Sequence, residues 1–326
     1  MIISRTPFRM SFVGGGSDLP AYYQHKPGAV ISTTIDKYVY VTINKKFDNG
    51  IRIAYSKNEE VASVDQVEHK LVKAVLQQLD IRGGIEITTI ADIPSKGTGL
   101  GSSSSFTVGL LHALNAYKGI FSSSESLGAG SCHIEIDICK EPIGRQDQYA
   151  AAYGGFNMME FMPDHSVNVT PIICDAKTIR NIEESTLLFY TGITRSASGL
   201  LKQQSADIAS SKEKQITMSK MVELAHTLKS ELERNNANVF GEILHENWLL
   251  KKSLTRGIST SEIDDWYAKA IDIGATGGKV LGAGAGGFLM LTAPKELHQL
   301  IKSVLRMLRS IDVKFEPQGS RIIFYH

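Results

Sequence analysis

Cysteine is scarce in this chain. Cys132, Cys139 and Cys174 are the only three in 326 residues, they form no Cys-x-x-Cys pair, and their odd number fits no complete disulfide framework. A reducing cytoplasm is the expected setting. An excess of charge is missing too. The 35 basic and 34 acidic residues leave a net charge of +1, which gives no global field for holding nucleic acid or an anionic membrane and favours a small-molecule partner. No apolar run approaches the length of a membrane span, and Arg5 and Arg9 interrupt the segment that would have to be a signal core. Internal repeats and low-complexity tracts are also lacking. What remains is an ordinary globular composition, 42% hydrophobic and 21% charged, in a chain about twice the length of a common single domain. Two lobes sharing one cleft are expected.

The first half opens in β structure. Strands are predicted at Met10 to Val13, at Ala29 to Ile43 as a pair broken near Asp36-Lys37, and at Ile51 to Tyr55. A helix follows over Val67 to Leu79, where Val67, Leu71, Val75, Leu76 and Leu79 recur at helical spacing. Gly84 to Ile93 alternates as a strand, Pro94 to Gly101 reads as a loop, and Ser105 to Tyr117 as an amphipathic helix closed by Lys118-Gly119. In the second half, strands are predicted at Phe156 to Phe161, Leu187 to Tyr190 and Arg321 to Phe324. Helices are predicted at Glu213 to Arg234, Phe240 to Leu254 and Pro294 to Ile311, and Val280-Leu281 and Phe288 to Leu291 flank a glycine cluster. The chain is α+β, with lobes expected at 1–155 and 156–326.

Four segments carry candidate chemistry. In Pro94 to Ser105, Gly97, Gly99 and Gly101 let backbone N–H groups approach an anion, and Leu100 is followed by Ser102, Ser103, Ser104 and Ser105 at a helix start whose dipole end is positive. The segment is neither a Walker A loop nor Gly-x-Gly-x-x-Gly, and the plainer reading is a Gly/Ser turn that caps a helix. Gly282 to Gly287, which includes Gly284, does match Gly-x-Gly-x-x-Gly, but a strand follows where a dinucleotide-binding loop needs a helix. A glycine turn between strands fits it better. In Arg9 to Pro20, Gly14, Gly15 and Gly16 precede Ser17 and Asp18. Asp18 either binds sugar hydroxyls or, with Ser17, caps a short helix over Leu19 to Gln24. Asp147 and Gln148 precede a small-residue helix, so Asp147 is either a cap or a carboxylate placed to orient or deprotonate an attacking hydroxyl.

Taken together and in order, these motifs resemble those of the GHMP kinases, the superfamily of galactokinase, homoserine kinase, mevalonate kinase and phosphomevalonate kinase. Pro94 to Ser105 is similar to that family's Pro-x-x-x-Gly-Leu-Gly-Ser-Ser-Ala-Ala loop, with one extra residue and serines for the alanines, and Gly282 to Gly287 to its C-terminal glycine motif. The resemblance implies a ribosomal-protein-like N-terminal lobe, a ferredoxin-like C-terminal lobe and an active site in the cleft between them. It implies ATP and Mg2+ as cofactors, with ATP phosphates on Gly97 to Ser105 and the metal on Ser103 and Glu135. Asp147 and Arg9 take the catalytic roles, and Gly15, Gly16, Ser17, Asp18, Gln148, Arg195 and Gly284 line the acceptor site. Ser32 to Val39, Glu141 to Gly155 and Phe189 to Ser198 are similar to the heptose 7-phosphate kinase branch, and less closely to the kinase half of L-fucose kinases. That likeness implies phosphorylation of the anomeric hydroxyl of D-glycero-D-manno-heptose 7-phosphate on the way to GDP-heptose for surface glycans. Arg195 and Arg145 are the candidates for holding the distal phosphate. A sugar or sugar phosphate is the expected partner, without nucleic acid or membrane, and an oligomer is possible. A catalytically silent sugar and ATP sensor is the non-enzymatic alternative. RNA binding, which an N-terminal lobe of this kind would allow, is disfavoured by the balanced charge.

Overall fold

A computed structural model describes residues 1–93, 97–193 and 197–326. Pro94, Ser95 and Lys96, at the start of the predicted phosphate loop, and Arg195 lie outside the described residues. The first part of the chain runs β1 (Ile2–Val13), α1 (Pro20–Tyr23), β2 (Gly28–Lys45), β3 (Ile51–Ala54), β4 (Asn58–Val61), α2 (Lys70–Gln78), β5 (Ile85–Ala91), α3 (Ser102–Tyr117), α4 (Ser124–Cys132) and α5 (Gln146–Tyr153). The remainder runs β6 (Phe156–Phe161), β7 (Val167–Pro171), α6 (Ala176–Ser185), β8 (Thr186–Tyr190), α7 (Ala197–Ser210), α8 (Lys212–Glu233), α9 (Phe240–Leu254), α10 (Ser261–Ile273), β9 (Gly277–Val280), β10 (Phe288–Thr292), α11 (His298–Val304), β11 (Arg309–Ile311), β12 (Phe315–Glu316) and β13 (Arg321–Tyr325).

Two sheets form the scaffold. Among the described residues the larger has nine strands, with the path β13-β1-β2-β5-β3-β4 and with β12, β6 and β7 paired along or beyond β2. The smaller is antiparallel, in the order β11-β8-β10-β9. The expected boundary at 155/156 falls between α5 and β6, and β6, β7, β12 and β13 all join the larger sheet. One apolar core lies between that sheet and α2 and α3. Another joins the two lobes, where the Phe12 ring meets Phe156 and Phe240 edge-on at centroid distances of 5.5 and 5.1 Å.

Four departures from the sequence reading have physical causes. β2 is one continuous strand, and the expected break is a bulge: Pro7 pairs with Tyr38 but Phe8 with Ile35, which leaves Asp36 and Lys37 out of register. Pro7 has no N–H to donate, so a bulge is where a strand tolerates it. α2 starts three residues late because Glu59 accepts from the backbone N–H groups of Glu68 and His69, and His69 Nδ1 caps the helix through Val72 N. The predicted helix over Pro294 to Ile311 shrinks to His298–Val304, since Arg309–Ile311 pairs with the free edge of β8. Tertiary pairing overrides local periodicity there. The Ser122 to Ser124 loop opens α4, a helix whose Gly128 lies against the Tyr149 ring. Such small residues allow close helix packing but produce no apolar periodicity.

Candidate active site

Strand β1 carries the first functional group into the cleft. Beyond Pro7 the partner of β1 is no longer β13 but the glycine loop, since Arg9 N donates to Leu100 O at 3.0 Å. The Arg9 side chain is 3% exposed and uses all three of its faces. Nε donates to Asp147 Oδ1 at 2.8 Å, Nη2 to Asp147 Oδ2 at 2.6 Å, and Nη1 to Gly99 O at 2.6 Å. A planar guanidinium forked onto a carboxylate fixes orientation as well as charge. Asp147 sits in the first turn of α5, and the N-cap position is Arg145, so the capping reading of Asp147 does not hold. Its carboxylate, about a quarter exposed, looks into the cleft.

The glycine loop reaches α3 through Gly101, whose left-handed backbone (φ 74°, ψ 23°) occupies the N-cap position. No acidic residue occupies the first turn of this 16-residue helix, so its positive end is not neutralised from within. The two glycine clusters meet backbone to backbone: a Cβ on Gly99 would stand 2.2 Å from Leu281 O, and one on Gly282 2.6 Å from the Gly99 Cα. The cluster at Gly282 to Gly287 is thus both a turn between β9 and β10 and the support of the loop before α3.

Glu135 lies on a π-helical turn, His133–Ile138, continuing α4. Such turns recur at functional sites because they displace one side chain from helical register. Only 1% exposed, its carboxylate accepts from Ser103 Oγ at 3.0 Å, Ser104 Oγ at 2.7 Å, Thr107 Oγ1 at 3.0 Å and Gln148 Nε2 at 2.5 Å. Burial raises its pKa, and those donors oppose the rise. Asp18 is likewise buried. Its oxygens accept from Gly16 N and Gln146 Nε2, each at 2.9 Å, and from Gln146 N at 3.3 Å. Burial and then the nearby Asp147 charge raise its pKa. α1 has Leu19 at its N-cap without a side-chain bond, so neither Ser17 nor Asp18 caps it.

A cavity of about 240 Å³ joins these groups and is lined by Arg9, Gly15, Gly16, Asp18, Gly97, Gly99, Gly101, Ser102, Ser103, Ser104, Glu135 and Asp147 among others. Five predicted site residues are not on its wall. Leu100 is in the core, Ser105 Oγ is bonded to Pro7 O, Ser17 Oγ to Ala29, and Gln148 stands behind Glu135. Gly284 is pressed against Ile258. Arg145 is also off the wall, turned to His165 O and the Tyr149 ring.

Sequence reasoning missed two cleft lysines. Lys251, in the last turn of α9, reads locally as a cation at a helix end, and Lys279 follows Gly277 and Gly278 with no charge pattern to mark it. Both are buried on the cleft wall.

A magnesium site must be tested on the donors present. Among the described residues no three His, Cys, Asp or Glu side chains gather to hold a metal. Ser103 and Glu135 nevertheless supply adjacent hard oxygen donors. Mg2+ is commonly held by one or two carboxylates plus substrate phosphates, so the pair fits an ion whose shell a nucleotide completes.

A phosphate-receptive helix end, a forked arginine–carboxylate pair and a buried acid in one interlobe cleft define a phosphoryl-transfer site. The comparisons agree. The GHMP kinase N-terminal domain pattern matches residues 67–155 and the GHMP kinase C-terminal pattern residues 228–309. The chain is 30% identical, over 98% of its own length and 97% of the other's, to D-glycero-alpha-D-manno-heptose 7-phosphate kinase of Campylobacter jejuni. It is 25% identical to L-fucokinase/L-fucose-1-P guanylyltransferase of Bacteroides fragilis, over 90% of this chain but 34% of that protein. A crystal structure of a D-glycero-D-manno-heptose 1-phosphate kinase from Bacteroides thetaiotaomicron superposes with a TM-score of 0.82 at 26% identity, covering the whole of both chains. The chain therefore belongs to the GHMP kinase family and is an ATP-dependent phosphotransferase acting on a hydroxyl group.

Proposed function

We propose that the chain transfers the γ-phosphoryl group of ATP to the anomeric hydroxyl of D-glycero-D-manno-heptose 7-phosphate, giving the 1,7-bisphosphate. The observation that carries this reading is the single cleft in which the Arg9–Asp147 fork, the α3 N-terminus and the buried Glu135 converge, in a chain aligned end to end with a heptose 7-phosphate kinase. ATP phosphates lie on Gly97 to Ser104, where backbone N–H groups and serine hydroxyls meet the helix end. Ser103 and Glu135 hold Mg2+, which when bound neutralises charge on the phosphates.

Asp147 orients the acceptor hydroxyl and takes its proton as the new O–P bond forms and the bond to the ADP oxygen breaks. Arg9 keeps that carboxylate aimed, holding both of its oxygens. Because it also holds Gly99 O, it fixes the distance between acceptor and phosphate loop, and positioning of this kind is most of what phosphoryl transfer requires. Asp18 accepts hydroxyls of the sugar ring.

The test is an ATP-coupled screen of mannose-configured heptoses, their 7-phosphates and L-fucose, with product regiochemistry read by phosphorus NMR. Transfer to the anomeric oxygen of the heptose 7-phosphate supports the reading. Preference for L-fucose would overturn the acceptor and keep the kinase. Nucleotide binding with no turnover on any sugar would favour the silent sensor.

A further inference from the structure

Two lysines are buried in the cleft wall. Lys251 and Lys279 are 4% and 2% exposed. Lys251 Nζ donates to Gly15 O at 2.9 Å and Gln204 Oε1 at 3.1 Å, and Lys279 Nζ to Phe12 O at 3.0 Å. In their charged forms the two side chains carry six N–H protons, and three bonds are made, so three remain for an anionic partner that would favour those forms. Among the described residues neither lysine has a carboxylate within salt-bridge distance. Burial lowers the pKa of both, Lys279 well below the usual lysine value with Lys251 and Arg9 adding to the fall. Asp18, which accepts from Gly16 and Gln146 and pairs with neither ammonium, only partly opposes it. Burial of unpaired cations is costly, and such charges are normally paired or engaged by a ligand.

The surrounding groups point the same way. Gln204 Nε2, on a fully buried side chain, and Ser11 Oγ, on a residue 3% exposed, have no hydrogen-bond partner among the described residues. Ser11 and both lysines line the cavity. A Cβ on Gly16 would stand 2.4 Å from Gln204 Nε2 and 3.2 Å from Lys251 Nζ, so the glycine leaves the cations open toward the loop that carries Asp18. All these groups are donors, they converge from β1, α7, α9 and β9, and together they match an oxyanion with several acceptor oxygens.

We propose that Lys251 and Lys279, with Gln204 and Ser11, form the subsite for the phosphate already carried by the acceptor sugar, and so set the preference for a sugar phosphate over a free sugar. The inference rests on the function proposed above. Lys251 is placed for the acceptor rather than the nucleotide, because its hydrogen bonds among the described residues are to Gly15 and Gln204 and none is to the described part of the loop before α3.

The test is steady-state kinetics of K251M on D-glycero-D-manno-heptose 7-phosphate and on the unphosphorylated heptose. Loss of a buried charge-assisted contact predicts a rise of about 10²-fold in KM for the 7-phosphate, with KM for ATP and kcat/KM for the free heptose unchanged. Equal loss on both sugars, or a rise confined to ATP, overturns the proposal. Thermal shift supplies a second readout. Replacing an uncompensated buried cation should raise the melting temperature of the free enzyme, whereas a merely structural lysine would lower it. If the wild type turns over neither heptose, the substrate reading fails on its own. The subsite is then decided by inorganic phosphate added to enzyme saturated with a non-hydrolysable ATP analogue: stabilisation of the wild type but not of K251M upholds it, and equal shifts sink it.

Discussion

Replacing Glu135 by glutamine separates the chemistry of the site from its architecture. Four donors converge on the carboxylate, and the new amide would turn an NH2 group toward two of them. At the Oε2 position these are Ser104 Oγ and Gln148 Nε2. A serine hydroxyl accepts as readily as it donates. Gln148 Oε1 is unpartnered, so turning over that amide gives the new NH2 an acceptor. Gln148 then has one unpartnered amide atom, as it has in the wild type. The weakened hydrogen bonds are offset by relief of the burial that raises the Glu135 pKa, and the net change in stability is within about 1 kcal/mol. Turnover should fall by about 10² to 10³-fold, because the anionic donor bonded to Ser103 has lost its charge, a loss of about 3–4 kcal/mol of transition-state stabilisation. Alanine would behave differently, leaving donors facing a cavity at a cost of about 3–5 kcal/mol. The assay pairs urea denaturation with kcat measured across a magnesium titration. Retention of wild-type kcat with unchanged magnesium dependence, or collapse of E135Q stability, refutes the reasoning.

Asp147→Asn should lower kcat by about 10²-fold or more while leaving nucleotide affinity nearly intact, checked by turnover and by calorimetric ATP binding. The pH profile follows from Lys251, whose pKa burial depresses to about 8. It is charged below that value and neutral above it, so KM for a phosphorylated acceptor should climb as pH rises beyond about 8, and K251M should abolish the rise. The same shift makes the cost of burying its charge full below pH 8 and progressively relieved toward the unfolded pKa of a lysine, so stability of the free enzyme should increase over that interval. Gly99→Ala must displace Leu281 O from a site 2.2 Å away, in a backbone region alanine disfavours. We expect a stability loss of at least about 1 kcal/mol and a larger loss in kcat/KM for ATP than for the sugar. Equal losses would contradict the support assigned to the second glycine cluster.

Local signals made most elements legible. The helix over Phe240 to Leu254 is found with those ends, and Phe156 to Phe161 is the strand expected. Where reading failed, the deciding contact was distant in sequence. Arg309–Ile311 is a strand only because β8 offers an edge, and α4 carries too much glycine and serine for periodicity to reveal it. The site behaves likewise. Arg9, Asp18, Glu135 and Asp147 stand near motifs and were found through a family resemblance, whereas their mutual geometry, 138 residues apart for the Arg9–Asp147 fork, is tertiary. Lys251 carries no local mark beyond its place in the last turn of α9. It becomes notable only once α9 packs against the Gly15 segment and buries its ammonium group.

The central claim is that this cleft phosphorylates the anomeric oxygen of a heptose already phosphorylated at its far end. Phosphorus NMR of the product formed from ATP and D-glycero-D-manno-heptose 7-phosphate tests it most directly. The account predicts one new resonance from an anomeric phosphate, with the distal phosphate resonance retained. Absence of that resonance under conditions where L-fucose or free heptose is phosphorylated would contradict it.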